Sequence, residues 1–67
     1  MQTSINGWTI KLHQRDQYND YSVIYDYSIE VCEPGQAYGR SWNIGTNKHK
    51  ASQAYNLAIR TVQQHVN

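Results

Sequence analysis

The chain has 67 residues, a formal net charge of +1 and one cysteine, Cys32. A chain this short makes one small domain with a marginal core and no disulfide framework. Its near-neutral charge argues against a domain driven mainly by nucleic-acid phosphate, the start Met1-Gln2-Thr3-Ser4 lacks signal-peptide character, and no apolar run approaches the ~18 residues a membrane span needs. A cytoplasmic protein without membrane contact is expected.

The first expected element is a strand in which Trp8, Ile10 and Leu12 share one face, opposite Thr9, Lys11 and His13. A polar, acidic linker runs from Asp16 to Asp20. A second strand alternates Tyr21, Val23, Tyr25, Tyr27, Ile29 and Val31 against Ser22, Ile24, Asp26, Ser28, Glu30 and Cys32. Pro34-Gly35 is a turn signal. A third strand sets Tyr38, Arg40, Trp42 and Ile44 against Ala37, Gly39, Ser41 and Asn43.

Centring the second hairpin on Pro34-Gly35 pairs Val31 with Tyr38, Ile29 with Arg40, Tyr27 with Trp42 and Tyr25 with Ile44. A first hairpin pairing Leu12 with Val23 sets Ile10 beside Tyr25 and Trp8 beside Tyr27. Both keep the apolar residues on one face, as a one-sided sheet requires. The expected product is an aromatic row, Trp8–Tyr27–Trp42, on a three-stranded antiparallel meander.

A helix follows, capped by Thr46 or Asn47. Ala51, Ala54, Tyr55, Ala58, Ile59, Val62 and Val66 form a stripe at helical spacing. The predicted fold is α+β, three antiparallel strands with one C-terminal helix packed on one face, in the order β-β-β-α.

No catalytic constellation emerges. Cys32 has no histidine at a fixed offset to activate it. His13, His49 and His65 lack metal-ligand spacing, and the four scattered glycines form no phosphate loop. A non-enzymatic protein without cofactor or metal is expected. Arg40 is the odd residue on the helix-facing side, expected to snorkel to water with its stem over Trp42; alternatively Tyr38, Arg40 and Ile29 form a patch at the sheet end that the helix does not cover. Small polar residues on the other sheet face suit a solvated surface.

The sharper signal is the helix start. Its first turn reads Lys48, His49, Lys50, where a helix dipole favours acids. With Thr46 and Asn47, this turn could hold a phosphate or carboxylate on free backbone N–H groups and positive charge. The alternative is a solvated basic turn, or one neutralised by Asp16 or Asp20.

Gly45, Asn47, Lys48 and Ala51, with His49 where a second lysine is usual, resemble the later part of a double-stranded-RNA-binding domain. The resemblance covers about the last third of the chain, and residues 1–7 are too few for that family's first helix. It implies phosphate contact across an RNA groove by the helix start.

Two binding functions are therefore expected. The first engages nucleic acid or a ribonucleoprotein through Thr46, Asn47, Lys48, His49 and Lys50, with Lys11, Arg40 or Arg60 outlying. The second is a small protein-binding inhibitor or adaptor, by analogy with phage-encoded antagonists of a host complex. Its anchors would be Tyr18, Tyr21, Tyr38 and Arg40. Either would act as a monomer or a homodimer.

Overall fold

A computed structural model describes residues 1–18 and 23–66. It contains β1 (Gln2–Ile5), β2 (Trp8–Tyr18), β3 (Val23–Cys32), β4 (Arg40–Gly45) and α1 (Lys48–Val66). The sheet has four antiparallel strands in the order β1-β2-β3-β4, with the helix on one face.

The three-strand expectation is thus corrected: residues 2–5 form a fourth strand. The cause lies at Asn6-Gly7, where both residues have positive φ, 47° and 89°. That backbone makes a two-residue hairpin turn whose twist matches the flanking strands. It pairs Ile5 with Trp8 and Thr3 with Ile10. Met1 extends the pairing, its carbonyl accepting from the Leu12 N–H at 2.8 Å.

Both expected registers are also corrected. Leu12 faces Ile29, and Ile10 faces Val31, six residues along β3 from the predicted partners. In the second hairpin Val31 faces Arg40 and Ile29 faces Trp42, a slip of two. Across β2–β3, and across β3–β4 from Ser28 to Val31, the slips are even, so these residues keep their face while the neighbour changes; a bulge between Tyr27 and Ser28 then sets Tyr27 opposite Gly45, a slip of three. The Trp8–Tyr27–Trp42 row does not form. The rows are Ile10–Val31–Arg40 and Leu12–Ile29–Trp42. Trp8 instead meets the His65 ring edge-on, with centroids 5.4 Å apart.

The slip in the second hairpin has a local cause. Glu33 to Gln36 forms a turn closed by Gln36 N–H to Glu33 C=O at 3.2 Å, with Gly35 at φ 79°. The chain then crosses close over β3 at Gly39 before β4 begins. A Cβ built on Gly39 would fall on the Val31 carbonyl oxygen and 2.8 Å from the Cys32 Cα. Only glycine permits that approach.

The core lies between helix and sheet. Ile10, Ile29, Tyr55 and Val62 form its buried cluster, with Ile5, Trp8, Leu12, Val31, Ile44, Ala54, Ala58 and Ile59 packed against it. From Ala51 to Val62 the helical stripe read from spacing is therefore the buried face, and Ala51 is fully covered. Tyr55 reaches across to Thr3, hydroxyl to hydroxyl at 2.5 Å, which satisfies a phenol in the core.

The helix covers only part of the sheet. β2 and β3 pair out to Tyr18 and Val23, beyond where β1 and β4 end. This two-stranded extension accounts for the 47 Å long dimension. Val23, Ile24 and Tyr25 are exposed along it.

Candidate functional site

Three regions carry polar or exposed apolar groups that could act. The first is the helix-free sheet face. Glu30 lies at its centre. Its carboxylate accepts from the His13 ring at 3.0 Å, from the Gly39 N–H at 3.4 Å and from the Cys32 thiol at 3.6 Å. The His13 hydrogen bond first, then the Gly39 N–H, holds Glu30 below the ordinary carboxylate value of 4.5. Nearby, Asn43 donates to both Asp26 oxygens at 3.2 and 3.0 Å, and Arg15 lies 3.9 Å from the same carboxylate.

These groups tie the strands of the sheet to one another. Glu30 ties the start of β4 to β3 through Gly39. Burial, then the Glu30 charge, pushes the Cys32 thiol above its ordinary 9.0, so it is a poor nucleophile. Among the described residues no group of His, Cys, Asp and Glu could hold a metal.

Because folding lowers the Glu30 pKa, the ionised group stabilises the fold above its unfolded value. That contribution is lost as pH falls through the lower folded value. Glu30→Gln is expected to lower the melting temperature at neutral pH. The deficit against the native chain should shrink once pH drops below 4.5. Parallel melts across pH check this, and a pH-independent deficit would mean that charge is not involved.

The second region is the helix start. Asn47, rather than Thr46, is the cap: its side-chain oxygen accepts from the Lys50 N–H at 3.1 Å, and its carbonyl takes the first helical bond from Ala51 at 3.0 Å. Thr46 is exposed beside it. Lys48, His49 and Lys50 fill the first turn with no acid among them. His49 turns back to Gln53 at 3.2 Å. Among the described residues no ion pair joins Lys48 or Lys50 to an acid, Asp16 included. Asp20 lies outside the described residues.

The third region was not read from the sequence. An apolar groove of about 570 Å³ opens between α1 and β4. Its floor is Ile29, Val31, Trp42 and Ile44; its helix wall is Ala54, Leu57, Ala58, Thr61 and Val62. Trp8, His65 and Glu33 close one end. Trp42 is 50% exposed and Leu57 62% exposed, both along this groove. Among the described residues β4 is an edge strand, bonded to β3 on one side only.

Around this groove two of the predicted partner contacts come together. Tyr38, 85% exposed, precedes β4, and with Arg40 and Trp42 it lines an adjoining hollow of about 450 Å³. Arg40 is exposed opposite Val31, and among the described residues no aromatic ring takes it as a cation–π partner. The expected stacking on Trp42 is therefore absent. Tyr18 ends β2 at the far tip of the extension, opposite Val23, away from this cluster. Tyr21 lies outside the described residues.

The groove had one sequence trace. Leu57 falls off the buried stripe yet is a large apolar residue at the spacing Ala54, Leu57, Ala58, Thr61 that marks a second helix face.

Comparison with protein families, with curated proteins and with solved structures finds no match for this chain. No helix among the described residues is long and apolar enough to cross a membrane.

Proposed function

We propose that this is a non-enzymatic module that binds another protein through the groove between α1 and β4. One observation carries the reading: Trp42 on the sheet side and Leu57 on the helix side are both exposed along an apolar groove beside an open strand edge. A small chain has few large apolar residues, and setting two of them in water beside a cavity of ligand-site size is a poor use of them unless something covers them. The rim gives the partner a charge. Arg40 stands on the strand edge, beside a hollow that Glu33 also lines, and Lys50, four residues before Ala54, lies on the same helix face just beyond the groove lining. Neither pairs with an acid among the described residues. An acidic, apolar protein segment is the complementary occupant. The free, buried Cys32 suits the reducing interior of a cell, where such a partner would be met.

The rival reading is nucleic acid on the helix start, favoured by the unpaired lysines there. A photoreactive side chain at position 57 and, separately, at position 48 separates the two in cells. The expected result is a protein adduct from position 57 that survives nuclease and disappears with Arg40→Glu. Adducts only from position 48, and only with nucleic acid, would replace this reading with its rival.

A further inference from the structure

Resting on that reading, we infer that the partner enters as a fifth strand: an extended segment pairing antiparallel with β4, in the pattern apolar-x-apolar-x-acidic.

The edge of β4 supplies the first argument. Among the described residues no strand bonds to its outer backbone groups, and an added strand would satisfy them, whereas a helix laid in the groove would not. The sheet is antiparallel throughout, so an antiparallel addition continues its twist and ladder.

Side-chain alternation then dictates the pattern. On β4, Arg40, Trp42 and Ile44 point to the helix side, while Ser41 and Asn43 point away. In an antiparallel pair, opposite residues share a face. A partner residue opposite Ile44 and another opposite Trp42, two positions later, would enter the groove against the Leu57 side of α1. Both sites are apolar. The residue two further on lies opposite Arg40 and is acidic by charge. Between them, the residues beside Ser41 and Asn43 meet only small polar groups and are unconstrained.

A second copy of this chain fits less well. Pairing β4 with itself about Trp42 puts Arg40 opposite Ile44, so the cation meets an apolar residue and the acid position is unfilled.

The test uses the full chain and a displayed library of random decapeptides. The native protein should enrich apolar-x-apolar-x-acidic segments. Arg40→Glu should weaken a selected peptide by about tenfold or more, and should favour the same peptide with lysine at the acidic position by a similar factor. N-methylation of the peptide amides that face β4 should abolish binding, because it removes ladder hydrogen bonds and leaves the side chains.

Enrichment of segments with apolar residues at helical spacing, or full binding by the N-methylated peptide, would overturn strand addition while leaving a protein-binding groove. Absence of any groove-dependent peptide together with loss of the position-57 adduct would overturn both. A dimer in solution that Trp42→Glu dissociates would assign the edge to a second copy and overturn the acidic pattern.

Discussion

Gly39→Ala is expected to lower the melting temperature by about 12–24 °C, from a destabilisation of about 3 kcal/mol or more. Gly39 does not have positive φ, so its requirement is space rather than backbone conformation. An added methyl would overlap the Val31 carbonyl oxygen and press on the Cys32 Cα. Those are backbone atoms of a central strand, bonded into the ladders on both sides, and they have no rotamer to change. The overlap is relieved only by lifting residue 39 away, which breaks its N–H contact to Glu30 and displaces Arg40 at the head of β4. Stability of the whole chain is on the order of 3–10 kcal/mol for this length, so the loss takes much of it.

Gly35→Ala provides the contrast. A Cβ there meets nothing within 4 Å, but φ is 79°. The cost is about 1 kcal/mol, from conformation alone. Thermal unfolding of the two variants side by side separates the mechanisms. Equal effects would mean that the close approach at Gly39 is not needed.

The same residue shows where the sequence was hard to read. Alternation placed Trp8 to His13 on β2, Ser28 to Cys32 on β3 and Arg40 to Asn43 on β4 on their correct faces, because the period of two survives an even slip. Register did not follow from it. The seven residues from Glu33 to Gly39 were read as a short turn plus strand, since Tyr38 continues the alternation. The crossing at Gly39 is a tertiary fact and has no periodicity. β1 was missed for a different reason. Gln2-Thr3-Ser4-Ile5 has only one apolar residue, yet Asn6-Gly7 behind it is a strong hairpin signal. The far half of β2, Gln14 to Tyr18, carries no apolar face because the helix does not cover it. The basic turn and Tyr38–Arg40 were legible as exposed features. The groove was not, because it depends on where the helix lies across the sheet, and that is set by Ile10, Ile29, Tyr55 and Val62 acting together.

Ile10→Ala should therefore cost the fold dearly, about 2–5 kcal/mol. Among the described residues Ile10 is the one large side chain at 0% exposure, in the cluster that seats the helix on the sheet. Removing its branch deletes contacts to Ile29 and the helix and leaves a cavity that close-packed neighbours fill only in part. The groove wall would loosen with the helix, so binding and stability should fall together. Leu57→Asp is the opposite case. Leu57 is 62% exposed on the same helix, so its replacement loses little burial and some helix propensity, within roughly 1 kcal/mol. Its binding should nonetheless be lost, since an unpaired carboxylate would line an apolar groove. A melt and a binding curve for each variant decide the matter. If Leu57→Asp unfolds the protein as far as Ile10→Ala does, then Leu57 belongs to the core and the groove is a packing defect. If it melts like the native chain and no longer binds, Leu57 is held in water for a partner.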